Sequence, residues 1–227
     1  PPHDMFNAAK DVASLVKSRG WAWPEVIIGH SMGGKVALQF LQSAVQGDYG
    51  ESVALPKQVW VLDSVPGEVR PEFSDDEVEK VLRTLQGLPS FIPSRRWLVN
   101  HMMELGFSKS LSDWVGSNLN KAGDHETWAF NIEGAIQMFD SYRETSYWSL
   151  LEHPPRGTEI GIVVAEKSDR WDPDTIQRLE SIASRSSDES EGKVSLHRLP
   201  KSGHWVHVDN PAGLLKIVAG GIRSLST

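Results

Sequence analysis

The sequence predicts an α/β protein with a mostly parallel sheet, flanking helices and a large helical insertion. Four short apolar segments with strand character are spaced along the chain, and amphipathic helical patterns separate them. This alternation is typical of parallel strands joined by crossover helices. The connection between the second and third strands is too long for one crossover. We therefore expect residues 1–67 and 156–227 to form the α/β core and residues 68–155 to form a helical cap.

The first part of the core is predicted to run helix, strand, helix, strand. Asp4 is a suitable N-cap, and apolar residues follow it at the i, i+3, i+4 spacing of a helix that ends near Gly20. Residues 26–28 form a β-branched strand, and a sharp turn leads into a helix whose apolar face includes residues 36–44. A second buried strand covers residues 59–62.

Helical patterns dominate the insertion, and the strand and helix alternation resumes after it. The patterns in the insertion cover residues 75–85, 94–105, 108–119 and 131–151. The segments that follow are strands at 160–164 and 194–199, a helix that starts at Asp172-Pro173, a surface loop at 184–193 and a final helix that starts at Asn210-Pro211.

The composition is that of an ordinary soluble acidic protein. The chain has 227 residues, of which 23 are Lys or Arg and 30 are Asp or Glu, so its formal net charge is −7. With 39% hydrophobic residues it can bury a substantial core. The best apolar run is only strand-sized and no basic cluster occurs, so we expect neither a membrane span nor a nucleic-acid partner. The absence of cysteine excludes disulfides, thiolate metal sites and a cysteine nucleophile.

One short motif by itself indicates a candidate nucleophile. Gly29-His30-Ser31-Met32-Gly33 matches the G-x-S-x-G pattern and lies directly between a strand and a helix. In such a turn the serine stands exposed above the carboxyl end of the sheet, and we expect the glycines at positions 29 and 33 to let the strand and the helix approach. Ser31 is therefore the candidate nucleophile, and the Met32 amide is the candidate oxyanion donor. The alternative is a glycine-rich turn without chemistry.

A serine nucleophile needs a base, and the base needs an orienting acid. His204 lies in a loop just after the last strand and is our candidate base, ahead of His207, which lies nearer the start of the final helix. Asp63 and Asp169 both follow strands. An acid after the later strand is the more usual arrangement, which favours Asp169, whereas Asp63 stands immediately at a strand end, where placement is most rigid. These residues alone leave both acids open.

The order Ser31, Asp63 or Asp169, His204 resembles that of the α/β-hydrolase superfamily. The resemblance covers nearly the whole chain. G-H-S-M-G-G-K at 29–35 and G-H-W-V-H-V-D-N-P at 203–211 resemble the signatures of an esterase branch. W-V-L-D-S-V-P-G at 60–67 and A-E-K-S at 165–168 are similar to segments of its plant members.

This resemblance implies an α/β-hydrolase fold and a serine hydrolase that cleaves a carboxylic ester or thioester through an acyl-enzyme on Ser31. It implies Asp63 as the acid, with Asp169 kept as the alternative, and no metal or organic cofactor. The expected partner is a small-molecule substrate with an apolar acyl or alcohol group. The alternative function is a non-catalytic binding or receptor module on a hydrolase scaffold.

Aromatic residues are candidates for contact with that substrate. The candidates are His30, Trp114, Trp128, Phe139, Trp148 and Trp205. His30, as a neighbour of Ser31 in a sharp turn, should point away from the nucleophile. The aromatic residues of the insertion also suit a small core of their own.

The start of the chain differs from the pattern of the resembling enzymes, in which several strands precede the nucleophile. Only 30 residues precede Ser31, so we expect an N-terminally shortened form. The strand at 26–28 would then have an unpaired edge, which favours self-association. The resemblance implies residence in a plastid or another organelle, and otherwise the cytoplasm.

Overall fold

Helices and strands alternate along most of the chain. The computed structural model describes residues 2–69, 76–185 and 191–223. In chain order the elements are α1 (Met5–Ser18), β1 (Val26–His30), α2 (Met32–Gln46), β2 (Gln58–Leu62), α3 (Asp76–Gln86), α4 (Arg95–Glu104), α5 (Lys109–Gly116), β3 (Leu119–Ala122), β4 (His125–Trp128), α6 (Ile132–Glu144), α7 (Trp148–Glu152), β5 (Glu159–Ala165), α8 (Pro173–Ala183), β6 (Lys193–Leu199), α9 (Val206–Asp209) and α10 (Pro211–Arg223). The chain divides into two units, Pro1–Ser74 with Asp140–Thr227, and Asp75–Phe139.

Four strands of the first unit form one parallel sheet in the order β1-β2-β5-β6. This sheet confirms the predicted fold class, because parallel neighbours require long crossover connections such as the helices found here. All five residues of β2, in the centre of the sheet, are buried. Among the described strands β1 pairs with β2 alone, and the Ile28 side chain is 50% exposed. Self-association through this edge stays a prediction.

Apolar side chains cover both faces of the sheet. Successive residues of a strand point to opposite faces. Val59 and Val61 therefore join one cluster, with residues of α2, α7 and α8. Trp60 and Leu62 join a second cluster on the opposite face, with residues of α9 and α10. The central strands consequently read as continuous apolar runs, which is why they are recognisable in the sequence.

Side-chain caps define where two helices of this unit begin. The Asp4 carboxylate accepts a hydrogen bond from the Asn7 amide at 2.7 Å, as the sequence indicates. The Asp172 carboxylate accepts from the Thr175 amide at 2.8 Å, and Pro173 follows the cap, where its missing N–H costs no helical hydrogen bond. The start of α8 is thus fixed by its own sequence.

Lys35, in the first turns of α2, is a fully buried lysine. Its ammonium group donates hydrogen bonds to the carbonyl oxygens of Gly67 (2.7 Å), Tyr142 (2.5 Å) and Thr145 (2.7 Å). Burial lowers the pKa of Lys35 to about 7, whereas the charge of Glu68 acts in the opposite direction. Lys35 therefore ties α2 to the segment after β2 and to the end of α6.

The second unit has a core of its own and contains a hairpin that the sequence does not predict. Buried side chains of α3, α4 and α5 and of β3 form this core. β3 and β4 pair in antiparallel register around Gly123, whose φ of +69° suits a tight turn. Strands of four residues are too short to show a clear alternation, so the sequence does not distinguish this hairpin from the helical patterns around it. The predicted helix start at residue 75 lies outside the described residues.

The predicted helix at 131–151 is wrong, because the structure contains two helices there, α6 and α7. Contacts distant in sequence interrupt the helical pattern. The Tyr147 amide donates to the Pro66 carbonyl at 2.8 Å, and its hydroxyl donates to Gln39 Oε1 at 3.0 Å.

Of the predicted loop at 184–193, residues 186–190 lie outside the described residues. Within the three described ranges, no helix is both long enough and apolar enough to cross a membrane.

Candidate active site

Ser31 occupies a strained turn between β1 and α2. Its backbone has φ +53° and ψ −123°, a conformation that costs a non-glycine residue on the order of 1–3 kcal/mol. The strand and helix pack so closely that a Cβ atom added at Gly29 would lie 2.0 Å from the Gly33 carbonyl oxygen. A Cβ at Gly34 would lie 2.9 Å from Ser64 Cβ. At Gly33 an added Cβ would meet open space, so the expectation that Gly33 permits the close approach is wrong, and Gly34 has that role.

A matched pair of substitutions tests how closely β1 and α2 pack at this turn. Gly29→Ala should destabilise the fold by several kcal/mol, because the new methyl group collides with backbone that cannot move aside without breaking the turn. Gly33→Ala should change stability by less than about 1 kcal/mol, and helix propensity favours alanine there. Urea unfolding of both variants measures the difference. Equal loss of stability in the two variants would show that this packing argument is incorrect.

The imidazole of His204 bridges Ser31 and Asp63. Its Nε2 lies 3.1 Å from Ser31 Oγ, and its Nδ1 lies 2.9 Å from Asp63 Oδ2. A carboxylate can only accept, so Nδ1–H donates to Asp63 and Nε2 is free to accept from the serine hydroxyl. The structure thus brings together three residues that are 32 and 141 positions apart in the sequence.

Backbone contacts hold the His204 loop, which follows β6. The Lys167 amide donates to the Ser202 carbonyl at 2.8 Å, and the Gly203 amide donates to the Asp209 carboxylate at 2.8 Å. His30 Nε2 donates to the backbone carbonyl of His204 itself at 2.7 Å. Burial lowers the pKa of His30, so the His30 imidazole stays neutral beside the imidazole of His204.

Asp63 is fully buried and has an unusual backbone conformation, with φ +46°. Burial by itself would raise the pKa of this carboxyl group, but hydrogen bonds from His204, from the Trp171 indole and from the Ala165 amide outweigh it. The pKa of Asp63 therefore lies below its ordinary value. Asp63 stays ionised at neutral pH and can compensate a positive charge on His204.

Asp169, the alternative acid, is exposed on the loop after β5. Its own loop instead provides Trp171, whose Nε1 donates to Asp63 Oδ1 at 2.7 Å. The sequence does not predict this contact. The one available signal was an aromatic residue with a polar N–H between a strand end and the cap of α8.

The remaining candidates lie in different places. Trp205 is 60% exposed, and its ring centroid lies 5.6 Å from that of His30 and 5.9 Å from that of His207. The Met32 amide, at the first position of α2, has no partner within the helix. Trp148 packs partly buried against the core, with the Arg178 guanidinium 4.2 Å above its ring. In the second unit Trp114 is 65% exposed, whereas Trp128 and Phe139 are half-buried.

The comparison with protein families is decisive for the class of this protein. The model of the alpha/beta hydrolase family matches residues 1–217. This chain belongs to the alpha/beta hydrolase family. Family membership supports hydrolase activity, and it agrees with the parallel sheet and the strained serine turn described above. The narrower plant-type branch stays a hypothesis from the sequence. A search of curated proteins found no significant match.

Solved hydrolase structures share this fold. A marine microorganism esterase superposes with a TM-score of 0.67 at 20% identity, over 93% of this chain and 75% of that protein. E-2-(acetamidomethylene)succinate hydrolase has a TM-score of 0.66 at 12% identity, over 98% and 75% of the two chains. A thermophilic esterase from Thermogutta terrifontis has a TM-score of 0.61 at 15% identity, over 100% and 75%. At these identities the similarity establishes the architecture, while substrate choice depends on the residues of each site.

Proposed function

We propose that this member of the alpha/beta hydrolase family is a serine hydrolase that cleaves a carboxylic ester or thioester through an acyl-enzyme on Ser31. The observation that carries the proposal is the continuous hydrogen-bond path from Ser31 Oγ through His204 to Asp63. A hydroxyl is a weak nucleophile unless a neighbouring base removes its proton, and here an oriented imidazole lies at the required distance.

In the proposed reaction, His204 Nε2 accepts the Ser31 proton while Oγ attacks the acyl carbon. The Met32 amide, at the positive end of α2, donates to the oxygen that becomes negative. The leaving alcohol or thiol takes the proton from His204 as the bond to the acyl carbon breaks. Water then loses a proton to His204 and attacks the acyl carbon, and His204 returns this proton to Ser31 Oγ as the bond to the acid breaks.

Asp63 acts throughout by holding the imidazole in the tautomer with hydrogen on Nδ1. Its charge also stabilises the imidazolium that forms in both halves of the reaction. The low pKa of Asp63 supports this role, because the carboxyl group does not itself take the proton.

In this proposal aromatic side chains contact the substrate. The Trp205 side chain is exposed close to the histidines of the site and is the best placed candidate for contact with the substrate. For residues 68–155 we keep the role of a cap, whose aromatic side chains would recognise an apolar acyl or alcohol group. Hydrolysis of a panel of esters and thioesters with increasing acyl length measures this preference.

A fluorophosphonate probe tests the assignment of the nucleophile. Ser31 Oγ should form a bond to phosphorus as fluoride leaves and His204 takes the proton, which adds one phosphonyl group at Ser31 in peptide mass spectra. Heat-denatured protein is the control and should not react. If folded protein remains unlabelled and hydrolyses none of the esters or thioesters, the proposal fails and a binding module on this scaffold becomes the better explanation.

A further inference from the structure

The two carboxylate oxygens of Asp63 have separate partners. Oδ2 accepts from His204 Nδ1 at 2.9 Å. Oδ1 accepts from Trp171 Nε1 at 2.7 Å and from the Ala165 amide at 3.0 Å. The path from Ser31 to the acid therefore continues beyond it, to a tryptophan on the loop after β5.

We propose that Trp171 is a positioning residue of this site, whose indole N–H holds Asp63 Oδ1 so that Oδ2 points at His204. This inference rests on the proposed function, in which Asp63 orients the base. Trp171 acts through Asp63. The loop after β5, which also carries Asp169, thus contributes to the site through the Trp171 indole and not through the Asp169 carboxylate.

The two donors at Asp63 Oδ1 fix the direction of the hydrogen bonds there. An indole N–H and a backbone amide N–H can donate but cannot accept. With both aimed at Oδ1, that oxygen has no room for a proton of its own, and the carboxyl group must present itself as an acceptor. A hydrogen bond to a carboxylate is stronger than one between neutral groups, so these contacts resist rotation of the side chain.

Two features fix the place of Trp171. It packs partly buried against the main core cluster. The next residue, Asp172, caps α8: its Oδ1 accepts from the Thr175 amide and its Oδ2 accepts from the Thr175 hydroxyl at 2.7 Å. Trp171 thus stands at the residue before a rigid helix start, where local backbone movement is restricted. An anchored donor of this kind can set the rotamer of a buried acid.

Trp171→Phe removes the N–H and keeps an aromatic ring in the core. We expect kcat on a reactive ester to fall about tenfold to hundredfold, with KM changed by less than about twofold, because a lost hydrogen bond to the acid affects the transition state more than substrate binding. The acidic limb of the kcat/KM profile should also move to higher pH. Asp63, with one donor fewer, has a higher pKa and holds the imidazolium more strongly.

Trp60→Phe is the matched control. Trp60 also donates a buried indole hydrogen bond, to Gln58 Oε1 at 3.0 Å, and lies on the opposite face of the sheet. This variant should lose stability, yet keep the wild-type pH profile. An unchanged kcat and an unchanged acidic limb in folded Trp171→Phe would overturn the proposal while leaving the hydrolase function intact. If the wild-type protein itself hydrolyses no ester or thioester, the proposed function is wrong instead.

The contact can also be measured without activity. In nitrogen-15 spectra of the folded protein, the assigned Trp171 indole N–H signal should move strongly in Asp63→Asn, since a carboxylate acceptor becomes a neutral amide. The Trp60 indole signal should stay in place. If the Trp171 signal is the same in wild-type protein and Asp63→Asn, the indole does not bind this carboxylate and the proposal is wrong, whether or not Trp171→Phe folds.

Discussion

Ser31→Ala should lower the kcat for ester hydrolysis by a factor on the order of 10⁴–10⁶. In the proposed mechanism the acyl group is transferred to Ser31 Oγ, and removal of the nucleophile leaves only the contribution of substrate binding and the oxyanion donor. Replacement of the hydroxymethyl side chain by methyl removes the hydrogen bond to His204 and creates no steric conflict, so the fold should remain intact. Initial rates on activated esters, together with thermal unfolding, measure both effects.

Ser43→Ala is the control for this prediction. Ser43 is also on α2 and buried, and its hydroxyl accepts from the Gln39 side chain at 3.0 Å. Loss of this hydroxyl should reduce stability by about 1 kcal/mol and leave kcat within about twofold of wild type. If Ser31→Ala keeps wild-type ester hydrolysis, the nucleophile is another residue and the acyl-enzyme mechanism proposed for this chain is wrong.

Asp63→Asn should lower kcat/KM by about 10⁴ at neutral pH. The two donors at Oδ1, from Trp171 and Ala165, require the amide oxygen of the new side chain to stay on their side. The amide NH₂ group is then directed at His204, whose Nδ1 must accept and whose Nε2 carries the hydrogen. In this tautomer the imidazole cannot take the Ser31 proton, although the geometry of the site is almost unchanged.

Asp169→Asn provides the comparison, because the sequence alone left both carboxylates open as the acid. Asp169 is exposed, so its neutralisation should change kcat/KM by less than about twofold and stability by less than about 0.5 kcal/mol. Steady-state rates of the two variants under the same conditions decide between them. A large loss in Asp169→Asn with near-normal rates in Asp63→Asn would reverse the assignment of the acid.

The strands of the core could be predicted to within one or two residues. The predicted segments at 59–62 and 194–199 became Gln58–Leu62 and Lys193–Leu199. These strands lie in a sheet with helices packed on both faces, so their burial appears directly as runs of β-branched and apolar residues. The sequence does not predict the hairpin β3-β4, because its strands have only four residues and neither alternates buried with exposed positions.

The turn around Ser31 is the part of the candidate site that a local motif predicts. Strand, tight turn and helix around Ser31 follow from the residues themselves, and the structure contains this turn with its strained serine. The place of His204 after the last strand predicts it as the base, and its Nε2 lies 3.1 Å from Ser31 Oγ. The spacing of the glycines does not show which of them faces the packed surface, and in the structure Gly34, not Gly33, lies against Ser64.

The sequence by itself determined the parallel α/β architecture and the serine turn, since both depend on the spacing and sterics of neighbouring residues. Only the tertiary structure decided which carboxylate meets His204. Leu62 pairs with Val163 in the sheet, and this register sets Asp63 beside the Ala165 amide, while the start of α8 sets Trp171 against the same oxygen. Such a convergence depends on strand register and on packing between segments more than 100 residues apart, which no local pattern in the chain encodes.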